Sequence, residues 1–239
     1  FYVPGGDDGL DRLPLKSTRA AVSIAGVIAD VTVTQVYKNE GKSSIEATYV
    51  FPASTRAAVS GLKMKIAECI IEARIRKRDQ ARTEYEQARS QGRSATLLEQ
   101  QRANVFQMNV ANIMPGDEIK VELNYTELII PNDKVYEFVY PTVVGPRYSN
   151  RPAAGAGAKE AWVKNPYLRQ GQAATYDFGL TVNINAGMPV SQISSPSHAV
   201  KVTYQGRSSA AVTLDPSELR GGNRDFILRY RLDGDKIQT

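Results

Sequence analysis

Ser197 and His198 stand side by side in a chain of 239 residues that has no other histidine. A serine hydrolase needs its nucleophile and imidazole base brought together in a geometry that direct neighbours rarely provide. Another serine could reach His198 in the fold, but no Gly-x-Ser-x-Gly elbow occurs. The expected role of His198 is that of a surface or strand-end histidine, and no catalytic residue is expected. Cys69, the single cysteine, lies among Ala67, Ile70 and Ile71, a setting for a partly buried, inert thiol. With one Cys and one His, an intrachain disulfide is excluded, and a Cys/His zinc site lacks at least two ligands of those types. Asp7 and Asp8 among Gly5, Gly6 and Gly9, and Asp233 and Asp235 around Gly234, offer too few converging oxygens for a hard cation. They read as a flexible terminus and a turn, so neither a metal nor a cofactor is expected.

The densest basic run is Arg74, Arg76, Lys77, Arg78 and Arg82. Such a run could hold a polyanion: a sulfated glycan, lipopolysaccharide or nucleic acid. Asp79, Glu84 and Glu86 interrupt it and Tyr85 is its one aromatic, so a solvated face is the competing reading. Overall, 30 Lys and Arg against 25 Asp and Glu give a net charge of +5, spread along the chain. That balance falls short of a dedicated nucleic-acid protein. Asn124-Tyr125-Thr126 fits the N-glycosylation pattern, inside an expected strand.

A content of 42% hydrophobic and 23% charged residues suits one large or two small domains with a real core, and excludes a disordered or collagen-like chain. No run approaches the roughly 18 consecutive apolar residues of a membrane-spanning helix, so no membrane insertion is expected. The chain starts at Phe1 without a basic-then-apolar leader, so targeting information is expected to lie outside it. Few cysteines leave the redox compartment open.

Most segments alternate with period 2, the mark of half-buried strands. Val31 and Val33 face Asp30, Thr32 and Thr34. Leu62, Met64 and Ile66 alternate with lysines, and then the apolar phase flips to Ile71, Ala73 and Ile75, which predicts a turn or bulge near Glu68 to Ile70. Phe106, Met108 and Val110, then Ile119, Val121, Leu123 and Tyr125, flank Pro115-Gly116-Asp117 and predict a hairpin. Further strands are expected around Tyr176 to Ile184, Val200 to Tyr204, Ala210 to Leu214 and Phe226 to Tyr230. So many short strands predict a mainly β, antiparallel sandwich.

One stretch differs. From about Lys77 to Gln91, Ala81, Tyr85 and Ala88 fall at helical spacing, with Asp79 as a possible cap and Gly92 as a terminator, which predicts one inserted amphipathic helix. Between Gly145 and Gln172 the Pro-, Gly- and Ala-rich sequence predicts a long irregular connection.

The order of motifs resembles the VIT domain found at the N-terminus of inter-alpha-trypsin inhibitor heavy chains and of many bacterial surface proteins. The likeness spans roughly Leu13 to Ile130 and is carried by Val36-Tyr37-Lys38-Asn39, Ala47-Thr48-Tyr49-Val50-Phe51-Pro52 and Ala58-Val59-Ser60-Gly61-Leu62-Lys63-Met64. After these come Tyr85, Ala88, Gly92, Leu98-Glu99-Gln100, Val105-Phe106 and Asn112-Ile113-Met114-Pro115-Gly116-Asp117. It continues more faintly through Tyr140 to Tyr148 and Asp225 to Tyr230, as in the segment joining a VIT domain to a von Willebrand factor type A domain.

These motif residues read as structural. Pro52 ends an edge strand, Gly61 and Gly116 permit turns, Phe51, Tyr85, Leu98 and Phe106 fill the core, and Glu99 and Gln100 bond backbone or bind a partner. The resemblance implies a VIT domain over residues 1–131 and a second all-β segment over 132–239 leading towards an A domain outside this chain. No Asp-x-Ser-x-Ser stretch is present, so the metal-dependent adhesion site of an A domain is not expected here. The implied function is a non-catalytic adhesion or protein-interaction module of an extracytoplasmic protein, supporting the adjacent A domain and binding a protein or matrix partner. Polyanion binding through Arg74 to Arg82 and an uncharacterised hydrolase activity are the alternatives.

Overall fold

The computed structural model describes residues 14–52, 54, 56–73, 98–102, 105–142 and 174–233. The expected helix over 77–91, the basic run Arg74 to Arg82, Tyr85, Ala88, Gly92 and nearly all of the long connection lie outside these residues.

The strands are β1 (Leu15–Ala25), β2 (Ile28–Lys38), β3 (Ile45–Pro52), β4 (Ala57–Ile66), β5 (Cys69–Ala73), β6 (Leu98–Arg102), β7 (Val105–Ile113) and β8 (Glu118–Leu128). They continue with β9 (Val135–Tyr140), β10 (Asp177–Asn185), β11 (Val190–Ser194), β12 (Val200–Tyr204), β13 (Ser209–Leu214) and β14 (Phe226–Leu232). A single 3₁₀ turn (Pro216–Glu218) follows β13 among the described residues. Eight strands form one sheet in the order β12-β13-β10-β1-β2-β8-β4-β5. Two three-stranded sheets, β3-β7-β6 and β11-β14-β9, complete the fold.

Alternation along each strand decides which face is buried. Ala20, Val22 and Ile24 of β1, Ala29, Val31 and Val33 of β2, Ile119 to Tyr125 of β8, and Phe178 to Ile184 of β10 all turn inward in alternate positions. The small sheets cover this inner face. Tyr49 and Phe51 of β3 meet Tyr37 and Tyr125 of the large sheet at ring-centre distances of 6.4 and 6.0 Å, and Tyr140 of β9 stacks on Phe178 at 6.3 Å. Each such aromatic contributes about 1.5–3 kcal/mol by leaving water. Burial pushes the phenols of Tyr49, Tyr125 and Tyr140 well above their ordinary range, and Tyr140 lies near enough to add to the shift of both others. The interior is therefore one continuous cluster spanning both halves of the chain.

The mainly β expectation holds, with three corrections of detail. The sheet is mixed, because β1 pairs with β10 in parallel, from Ser17↔Asp177 to Ala25↔Asn185. The expected hairpin about Pro115-Gly116 does not form: β7 pairs with β3 and β6, while β8 pairs with β2 and β4 in the large sheet. The chain crosses between sheets there, from β7 in the small sheet to β8 in the large one. Gly61 sits at a register shift in the β4–β8 pairing, not at a turn, whereas Gly116 does occupy a turn with φ +85°. The parity flip after Met64 is a two-residue turn at Ala67 and Glu68 that joins β4 to β5. Pro52 ends β3, an edge strand, as expected.

Candidate functional site

His198 lies just ahead of β12 and is buried, at 5% exposure, not on the surface. Its ring is held between Phe178 and Phe226, with centres 5.8 and 5.6 Å away. Nε2 lies 3.0 Å from the Gly221 carbonyl, which can only accept, so Nε2 carries the proton. Nδ1 then accepts from the Ser197 hydroxyl at 2.9 Å, and Ser197 Oγ in turn accepts from the Ile227 N–H at 2.8 Å. Glu218 does not reach the ring nitrogens. Its oxygens accept from the Ala199 N–H (2.8 Å) and the Arg224 guanidinium (2.6 Å), while Arg224 Nε donates to the Ser197 carbonyl at 2.6 Å.

This network does the work of a clamp. Both imidazole nitrogens are spent on local partners, and the position behind the ring that a hydrolase gives to a carboxylate is held by a backbone carbonyl. The adjoining glycines are packed as tightly as the ring: a Cβ on Gly221 would lie 3.0 Å from the Glu218 carbonyl, and one on Gly222 would lie 2.4 Å from Tyr176 Oη. That phenol donates to the Gly222 carbonyl at 2.6 Å, and burial pushes its pKa up to about 12. The clamp ties the loop before β14 to the loop between β11 and β12.

Burial lowers the His198 pKa from 6.5; the Gly221 bond opposes this and the Arg224 charge adds to it. The folded state thus keeps the ring neutral at a pH where the unfolded chain has begun to bind a proton. Its stabilising contribution is full above about pH 6.5 and is lost as pH falls from there through the depressed value. Because the chain has one histidine, the melting temperature is expected to fall between pH 7 and pH 5 with a slope that flattens in His198→Gln. Thermal melts across that range check it, and an unchanged slope would remove His198 as the cause.

A second buried polar group lies on β8. Glu127 is 4% exposed; Oε1 is 3.4 Å from the Arg56 guanidinium, and among the described residues neither Oε2 nor the neighbouring Tyr125 Oη has a hydrogen-bond partner. Apart from a Glu in an apolar phase, nothing along the chain signalled this pair. A carboxylate desolvated with half its acceptors idle gains little from a long ion pair. Glu127→Gln is expected to stay within about 1 kcal/mol of the parent, whereas Arg56→Ala costs about 1–2 kcal/mol by stranding the charge, discounted for the exposure of Arg56. Denaturant melts of both variants compare them directly; the reverse order would mean that Glu127 has a stronger partner.

Of the other sequence candidates, Cys69 is exposed, not partly buried, because it opens the edge strand β5 directly after the turn. Phe51 is buried as expected. Leu98, Glu99 and Gln100 lie in β6 and Phe106 in β7. Among the described residues no three His, Cys, Asp or Glu side chains converge on one point. Asn124 uses its amide oxygen to accept from Thr32 Oγ1 at 2.8 Å.

Two motif segments far apart in sequence meet at one corner. Asn39 is fully buried; its amide donates to the carbonyls of Ile113 (3.0 Å) and Ser43 (3.1 Å), and its Oδ1 accepts from Gly41 N–H at 2.9 Å. Its backbone pairs with Gly116 N–H and the Asp117 carbonyl. Asp117 accepts from Met114 N–H and closes the Pro115-Gly116 turn. This corner carries the chain from the small sheet to the large one.

Among the described residues no second sheet covers the outward face of the large sheet around β1 and β10. Arg19 of β1 lies across Gly179 of β10, where a Cβ would come within 2.3 Å of its Nη1. Together with Thr32, Thr34, Thr181, Thr213, Asp215 and Leu219 it lines a cavity of about 490 Å³. Nothing in the sequence brought these residues together, apart from a glycine inside a strand, which signals a close approach without naming its partner.

A family model of the vault protein inter-alpha-trypsin domain matches residues 15–125. Among curated relatives, rat von Willebrand factor A domain-containing protein 5A is 29% identical over 226 residues, covering 92% of this chain and 27% of its own length. The mouse protein of the same name is 36% identical over 225 residues, covering 92% and 28%. Mouse protein mono-ADP-ribosyltransferase PARP4 is 29% identical over 226 residues, covering 94% of this chain and 11% of that protein. The chain thus spans about a quarter of the protein 5A relatives and far less of PARP4. A solved Legionella pneumophila structure, described as nutrient binding, shares the fold with a TM-score of 0.52 at 9% identity over 92% of this chain and 67% of that one. With the Asn39 corner joining two of its motifs and the match running from β1 to Tyr125 of β8, the segment 15–125 belongs to the vault protein inter-alpha-trypsin domain family.

Proposed function

We propose that this chain is a non-catalytic interaction module that packs against a von Willebrand factor type A domain of the same polypeptide. The observation that carries the proposal is the pattern of relatives: proteins named for an A domain match nearly all of this chain, and the match accounts for about a quarter of their length. The site geometry supports it, since the Ser197-His198 pair is consumed in a structural clamp. An adhesion role in an extracytoplasmic setting, which the family resemblance implies, belongs to the same proposal; fractionation of cells expressing the native protein tests the location.

The decisive experiment joins the chain to the A domain of its own polypeptide and compares the joined protein with the two parts. Packing predicts a raised melting temperature for at least one part and amide shifts confined to a contiguous patch of this chain. Independent melts and unshifted spectra would overturn the proposal. The polyanion alternative rests on Arg74 to Arg82, outside the described residues, and no observation here favours it.

A further inference from the structure

The groove around Arg19 has features that the proposed module does not use. Its floor is small: Ala21 of β1 and Gly179 and Thr181 of β10 sit at the centre of an eight-stranded sheet, on the face that no second sheet covers among the described residues. Gly179 lets the Arg19 side chain lie flat along this floor, in the space a side chain at 179 would take. The guanidinium makes no hydrogen bond or ion pair with any described residue. Asp215, the acidic residue in the wall, is already engaged: its Oδ1 accepts from the Ser217 N–H and hydroxyl at 3.0 and 2.6 Å, which hold its pKa below the ordinary carboxylate value. Thr34, Thr181 and Thr213 line the groove with hydroxyls that likewise have no hydrogen-bond partner among the described residues. At the rim, Pro216 and Leu219 form an apolar step, with Leu219 46% exposed.

Each part selects a chemistry. A planar guanidinium without a partner among the described residues matches a carboxylate through two parallel N–H···O bonds. Threonine hydroxyls without a partner among the described residues match the amide groups of an extended backbone. The Pro216–Leu219 step matches one aliphatic side chain, and a floor of Ala, Gly and Thr allows close approach of a main chain. A nucleic acid or sulfated glycan would need an array of cations, and among the described residues that line the groove Arg19 is the one cation.

We infer that this groove is a docking site for an extended polypeptide segment in which a Glu or Asp side chain lies next to a leucine-sized one. The inference goes beyond the proposed function, because it requires no A domain and assigns a recognition chemistry to a particular place on the sheet.

The test is an NMR titration of the ¹⁵N-labelled full chain with the acetylated, amidated pentapeptide Leu-Glu-Leu-Glu-Leu, alongside its Leu-Gln-Leu-Gln-Leu counterpart. Saturable shifts are expected at Arg19, Ala21, Thr34, Thr181, Thr213 and Leu219, with affinity at least about tenfold weaker for the Gln peptide and for Arg19→Glu. Gly179→Val fills the floor and is expected to abolish binding while keeping the charge. Lys201→Glu, on β12 two strands from β10, is expected to bind as the parent does. Arg19 is solvent-exposed, so Arg19→Glu folds and decides the matter even if Gly179→Val does not. Absence of saturable shifts at millimolar peptide, equal affinity in Arg19→Glu, or shifts centred on the β12 edge would each overturn the inference. Concentration-dependent shifts of the groove without peptide would do so too, by making the occupant a second copy of this chain.

Discussion

A polypeptide ending at residue 131 is expected to lose cooperative unfolding and to aggregate, although it contains every residue matched by the family model. The reason is the parallel pairing of β1 with β10, in which nine residues of the first segment are in register with a strand that the fragment lacks. Removal leaves a long edge in what was the middle of a sheet, the arrangement that templates strand addition between molecules. It also strips the partners of the inner face, because Tyr140, Phe178, Leu180, Val182 and Phe226 belong to the same buried cluster as Val22, Val31, Tyr49 and Tyr125. Losing several side chains worth about 1.5–3 kcal/mol each is comparable with the roughly 5–15 kcal/mol that hold a typical domain together. Size-exclusion chromatography and circular-dichroism melts of the fragment beside the full chain measure this. A monomeric fragment melting cooperatively near the parent's temperature would show that residues 1–131 stand alone and that the β1–β10 pairing is dispensable.

The second large effect is expected at the Asn39 corner. Asn39→Asp replaces an amide that donates to the carbonyls of Ile113 and Ser43 with a carboxylate that can only accept, in a fully buried position. Two carbonyls lose their donor and face a negative charge, so the expected cost is about 3 kcal/mol or more. Asn39→Leu strands the same carbonyls, and the Gly41 N–H as well, without adding charge, and is expected to cost less than Asn39→Asp. Urea melts give both values. Near-wild-type stability for Asn39→Asp would mean that the corner is held by its backbone bonds to Gly116 and Asp117 alone.

Both effects turn on contacts between residues far apart in the chain, and this marks how far the sequence could be read. The alternations in β2, β8, β10 and β14 named the buried side chains correctly, because which face a side chain takes depends on its immediate neighbours in the strand. The turn after Met64 was legible for the same reason, as a local change of phase. The hairpin expected at Pro115-Gly116 failed because turn residues specify a reversal of the chain but not the partner of the strand that leaves it. Cys69 and His198 were misplaced in opposite directions. An apolar local sequence does not bury an edge-strand residue, and a Ser-rich one does not expose a residue that Phe178, Gly221 and Phe226 enclose from elsewhere in the chain.

Local patterns and their order along the chain were enough for the mainly β class, for nine of the strands with their inward faces, and for the family of residues 15–125, whereas β1, β3, β6, β9 and β11 were not read from them. Tertiary structure alone decided that β1 pairs with β10 across more than half the chain, that β7 and β8 part company, and that Arg19 reaches over Gly179 to line an open groove. These outcomes rest on hydrogen-bond partners and close approaches between distant segments, and the free energy that selects them exists only once the core that brings those segments together has formed.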